Sequence, residues 1–180
     1  VQTGHDLVKI LHLYSDWKWT GPAEPVLQAC LGLQQLGHEV TVAFRQPQQA
    51  ADESIAMKAA QMGLRGTTEF ALDRYLHPGR TVRDLVRLPR YLRREAFDLV
   101  HVHLCHDHPL GGLCVKLLGR RRPLLVRTFH RRDVLPASPL YRLQVRRLTD
   151  GYLTFTERFR QEYVRRFRLP PERTGVVPMT

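Results

Sequence analysis

A chain of 180 residues, 43% of them hydrophobic, is long enough to close one well-buried domain. It has no repeats, no low-complexity stretch and no apolar run of membrane-spanning length, which excludes fibrous, disordered and transmembrane classes. The net charge of +11 rests on 28 basic residues, only four of them lysine. That charge fits either a solvated arginine-rich surface or an anionic partner.

Residues 1–7 read as a ragged end. Residues 8–14 are rich in apolar, branched or aromatic residues and read as a strand buried on both faces. A polar loop, Asp16-Trp17-Lys18-Trp19-Thr20-Gly21, leads to a helix opening at Pro22, with Thr20 or Gly21 as its cap and Glu24 favouring its dipole. Val26, Leu27, Cys30, Leu33 and Leu36 repeat at helical spacing. Gly37-His38 closes that helix, and 40–44 is the next strand. A loop over 46–52 precedes a helix over 53–64 that ends at Gly63 or Gly66. Residues 67–72 read as a short third strand. A helix over 81–95 presents Val82, Leu85, Leu88 and Leu92, and Pro89 inside it predicts a kink or break.

Strands over 99–104, 124–130, 151–156 and 174–179 follow. They alternate with helices over 109–118, 140–148 and 157–167 and with a basic turn over 119–123. This alternation predicts an α/β fold: a Rossmann-like, doubly wound, mostly parallel sheet in a three-layer αβα arrangement. Cys30, Cys105 and Cys114 have no CxxC spacing and fit small buried side chains in a reducing compartment.

In such a sheet the segments 16–24, 103–108 and 130–133 meet at the carboxyl ends of central strands. They bring a helix amino end, several imidazoles and the Arg131-Arg132 pair. The first loop lacks GxGxxG, and Pro22 removes an N–H, so a dinucleotide cofactor is disfavoured. Trp17 and Trp19 either close over a ligand or pack at the domain edge. His101, His103 and Cys105 would share a strand face with zinc-type ligand chemistry. Helices cover such faces, however, and no second ligand pair accompanies them, so no metal is assigned. His130 stands at a strand's carboxyl end, where an imidazole hydrogen-bonds a ligand hydroxyl or accepts a proton.

The strings Val8-Lys9-Ile10-Leu11-His12-Leu13, Gly21-Pro22-Ala23-Glu24 and Leu36-Gly37-His38-Glu39-Val40-Thr41-Val42 resemble the amino-terminal domain of GT-B glycosyltransferases. They are most similar to the retaining family 4, or group 1, enzymes. The family pattern at the loop is Gly-Gly-Ala-Glu, and Pro22 replaces its second glycine. Phe97-Asp98-Leu99-Val100-His101-Val102-His103, Val126-Arg127-Thr128-Phe129-His130, Thr156-Glu157 and Gly175-Val176-Val177-Pro178 resemble later landmarks in the same order.

The resemblance implies transfer of a sugar from a nucleotide-diphosphate donor to a hydroxyl acceptor. His130 would be the catalytic contact, with Thr20, Gly21, Pro22, Glu24, His103, Arg131, Thr156 and Glu157 binding substrate. The nucleotide sugar is a co-substrate, and no cofactor is implied. Residues 8–180 correspond to the acceptor-side domain. The donor-binding carboxy-terminal domain with its paired glutamates is absent, so the isolated domain is expected to be inactive. With the basic charge, the resemblance favours a lipid-linked or phosphorylated acceptor in envelope polysaccharide or glycolipid synthesis, at the cytoplasmic face of a membrane. The alternative is a non-catalytic basic module that binds an anionic membrane or, least favoured, nucleic acid. A GT-B epimerase ranks lower still, because its opening glycine pattern differs.

Overall fold

Among the described residues, seven parallel strands form one sheet in the order β3-β2-β1-β4-β5-β6-β7. The computed structural model describes residues 6–47, 54–75, 77–130 and 138–177. The strands are β1 (Lys9–Tyr14), β2 (Glu39–Phe44), β3 (Arg65–Thr67), β4 (Leu99–Val102), β5 (Leu124–Thr128), β6 (Gly151–Thr154) and β7 (Thr174–Val176). The helices are α1 (Ala23–Gln35), α2 (Ile55–Gln61), α3 (Pro78–Glu95), α4 (Asp107–Lys116), α5 (Pro139–Leu148) and α6 (Glu157–Phe167).

The chain leaves β1 towards β2 and β3, then returns to place β4 on β1's other side. The crevice between the carboxyl ends of β1 and β4 is therefore the switch point where such sheets bind ligands.

Strand alternation sorts the core into two layers. Leu11, Leu13, Val100, Val102 and Leu125 pack with Leu88 and Leu92 of α3 and Val115 of α4. Tyr14, Val40, Val42 and Phe44 pack with Val26, Leu27 and Cys30 of α1 and with Ile55 and Ala59 of α2. A further cluster joins Phe129, Val145, Tyr152, Tyr163 and Phe167 beneath α5 and α6.

Several expectations are corrected. The third strand is Arg65–Thr67, not 67–72, because residues 65–67 are the ones that pair with residues 41–43 of β2; Gly66 lies beside Val42, where a Cβ would lie 2.5 Å from the end of the Phe44 ring. Pro89 does not break α3, which runs unbroken from Pro78. Leu36 and Val82 are exposed rather than on the buried faces. β4 and β5 stop at Val102 and Thr128, so His103 and His130 lie just beyond their strands. Residues 178–179 of the last predicted strand and most of the 46–52 loop lie outside the described residues. Among the described residues no helix is long and apolar enough to cross a membrane.

Candidate active site

One buried carboxylate joins the two strand ends at the switch point. Asp107, the first residue of α4, accepts hydrogen bonds from the N–H of Ser15 at 2.8 Å, of Leu104 at 2.7 Å and of His103 at 3.3 Å. Burial pushes its carboxyl up to about 6, while these N–H donors pull the other way. Gly111 lets α4 settle close enough for this, since a Cβ there would lie 2.9 Å from Val102 and 3.0 Å from Leu13.

On the opposite face, register sets His12 of β1 beside His101 of β4. Three imidazoles then form a chain. His12 Nδ1 lies 2.9 Å from His103 Nε2, and His103 Nδ1 lies 3.1 Å from His130 Nε2. His101 stacks against His103 with ring centroids 4.2 Å apart, and its Nε2 meets Thr128 Oγ1 at 2.7 Å. Burial keeps all four neutral. It lowers His12 to about 3 and His130 to about 4, the latter with help from the Arg127 charge, and lowers His101 and His103 well below the usual range.

Ligand atoms of His12, His101 and His103 all lie within 4.8 Å of one another, a grouping that invites a metal. Two imidazole nitrogens on one zinc ion sit about 3.3 Å apart, given metal–nitrogen bonds of about 2.0–2.1 Å. The 2.9 Å between His12 and His103 is instead a hydrogen-bond distance. The set also includes no anionic ligand for a buried divalent ion. We assign the cluster to hydrogen bonding.

A cleft of about 320 Å³ opens over this chain, walled by Tyr14, Thr20, Pro22, His103, Arg127 and His130 among others. Arg127, beneath it, is only 2% exposed. Its guanidinium bonds His108 Nδ1 and lies 4.8 Å from the centre of the Phe129 ring.

Residues 20–179 match the sequence signature of Glycosyltransferase Family 4. The chain belongs to Glycosyltransferase Family 4.

A glycosyltransferase from Rickettsia africae is 11% identical with a TM-score of 0.74, over 97% of this chain and 43% of that one. The lipopolysaccharide outer core galactosyltransferase WaaB is 12% identical with a TM-score of 0.67, over 95% and 45%. The UDP-GlcNAc 2-epimerase of Methanocaldococcus jannaschii, solved in complex with UDP-GlcNAc and UDP, is 13% identical with a TM-score of 0.65, over 94% and 46%. At these identities the likeness is one of fold. The chain spans less than half the length of each of these structures. A comparison with curated proteins finds no match.

In this family 4 domain, His103, His130, Thr20 and Pro22 come together in the cleft wall, whereas Gly21 and Glu24 are exposed beside it. Pro22 itself occupies the cap position of α1, without a side-chain cap, so neither Thr20 nor Gly21 caps it as expected. Thr20 instead gives its carbonyl to the N–H of Ala23. Pro25, one turn in, lacks a second N–H, which further thins the donors at this helix start.

Thr156 caps α6, and Glu157 pairs with Arg160 at 3.1 Å; neither lines the cleft. Arg131 lies outside the described residues. Trp19 packs on the α1 side of the core, as the domain-edge reading expects, and Trp17 is half-buried. Cys105 does not join the histidines; its Sγ lies 3.7 Å from Arg127 Nη2. Cys30 and Cys114 are buried as expected, but Cys105 is only half-buried.

Sequence reasoning missed His12, Asp107 and Arg127 as parts of the site. A histidine or an arginine inside an otherwise apolar strand was the available signal.

Proposed function

We propose that this chain is the acceptor-side domain of a retaining glycosyltransferase. It would move a sugar from a nucleotide-diphosphate donor to a hydroxyl acceptor, in envelope polysaccharide or glycolipid synthesis at the cytoplasmic face of a membrane. The observation that carries this reading is the cleft at the β1/β4 switch point of a family 4 domain, walled by the neutral imidazoles His103 and His130.

With its basicity lowered to about 4, His130 is a poor proton acceptor near neutral pH and a good neutral hydrogen-bond partner. It would therefore orient the transferred sugar rather than deprotonate the acceptor. Thr20 and Pro22 would meet substrate from the facing wall, with Gly21 and Glu24 exposed beside it, and Arg131, Thr156 and Glu157 would be further substrate contacts. Donor binding would fall mainly to a second domain with its own glutamates, so the isolated domain would not turn over.

Donor hydrolysis and product formation by the full-length protein test this. Without this positioning contact, His130→Ala is expected to lower kcat by about 100-fold. Near wild-type turnover would remove the assignment. The structural likeness to 2-epimerases favours one second reading, and the same product screen separates them: an epimerised nucleotide sugar with no acceptor product would support it.

A further inference from the structure

We propose that Arg127 forms the floor of an anion subsite in this cleft, taking a phosphate, diphosphate or carboxylate group of a substrate. The other cations held in the interior edges of the fold have carboxylate partners: Arg122 with Asp150, Arg45 with Asp73, and Lys9 with Glu39 and Glu95. No carboxylate reaches Arg127 among the described residues. Its Nη1 meets the neutral ring of His108, its Nη2 meets Cys105 Sγ, and among the described residues its Nε–H is buried without a partner. The rings of Phe129 and Tyr141, at 4.8 and 5.6 Å, attract the cation but do not neutralise it. A buried charge left without a counter-ion is strongly disfavoured, and an oxyanion entering the cleft supplies one.

The cleft favours such a ligand. Arg127, Cys105 and Phe129 share its wall with a second guanidinium, that of Arg74. Its one acidic side chain among the described residues, Asp16, is turned onto the local backbone and accepts from the N–H of Trp17 and Lys18. The two prolines at the start of α1 weaken the alternative anion site at that helix end. A guanidinium with N–H groups to spare binds phosphate and carboxylate oxygens in pairs.

The subsite does not require the transferase reading. Within it, the anion is either the donor's diphosphate or an acidic group on the acceptor.

Calorimetric titration of the full-length protein with inorganic pyrophosphate tests the proposal. Wild type is expected to bind. Arg127→Gln should bind about 10- to 100-fold more weakly, and Arg127→Lys should fall between them. Folded variants that bind like wild type would overturn the subsite, as would a wild type that binds no pyrophosphate. If the variants do not fold, the Arg127 Nε–H nitrogen resonance of the wild type decides instead: it should shift on adding pyrophosphate, and an unmoved resonance refutes the site. In turnover assays, pyrophosphate competing with the donor assigns the site to the donor's diphosphate. Competition with the acceptor assigns it to the acceptor. Loss of turnover in His130→Ala is independent of all these results, so either reading can fail alone.

Discussion

His12 sets the direction of the imidazole chain. Its Nε2 is buried and has no partner among the described residues. An orphaned buried N–H is rarer in proteins than an under-used acceptor, so that nitrogen is the bare one. His12 then carries its proton on Nδ1 and donates to His103 Nε2. His103 in turn donates from Nδ1 to His130 Nε2, which puts the proton of His130 on Nδ1, the nitrogen left for a ligand. Nitrogen NMR of the histidine rings should show His130 as the Nδ1–H tautomer. His12→Phe should turn it into a mixture of tautomers. A wild-type His130 protonated on Nε2 would reverse the chain. His103 and His130 were legible as candidates because each ends an apolar run with a polar, titratable group. His12 was not, because its partner is set by register with a strand 89 residues away in sequence from Ile10 to Leu99.

Among the elements, α4 most tightly constrains the site. It begins at Asp107, which ties Ser15 to His103, and it crosses the sheet where Gly111 lies against Val102 and Leu13. Gly111→Ala would gain up to about 1 kcal/mol of helix propensity. It would also force overpacking that costs about 1–3 kcal/mol. The expected net loss in urea unfolding is about 1 kcal/mol, at most about 2 kcal/mol. Gly79→Ala in α3, where an added Cβ meets nothing within 4 Å, should be neutral or slightly stabilising. Most strands and helices were legible because their apolar spacing is local. The 67–72 segment was misread because its pattern suits a strand, while the edge position beside β2 went to residues just before it. Pro89 does not break α3, because a proline inside a helix costs one hydrogen bond and the packing of Leu88, Tyr91 and Leu92 outweighs that loss.

At the scale of the whole molecule, five interior histidines make the fold acid-sensitive. His12, His108 and His130 are lowered to about 3, 2 and 4, and His101 and His103 lie well below the usual value of 6.5. The unfolded chain therefore binds more protons below about pH 6.5. Their stabilisation is complete above that pH and is lost as pH falls towards the folded values, by up to about 1.4 kcal/mol per pH unit for each ring. Asp107, raised to about 6 from 3.8, acts in the opposite sense between those values, but it is one group against five. Thermal melts should show a Tm that is level above pH 7 and falls steadily from pH 6.5 to 5. A level Tm to pH 5 would mean these rings are not held neutral in the interior. The sequence by itself determined the order of elements, the parallel doubly wound sheet and the family, because apolar spacing and strand-end motifs are properties of short stretches. Only the tertiary structure decided that His12 completes the imidazole chain, that Asp107 joins the strand ends and that Arg127 has no counter-ion among the described residues. Each of these depends on which strands become neighbours and on what burial excludes.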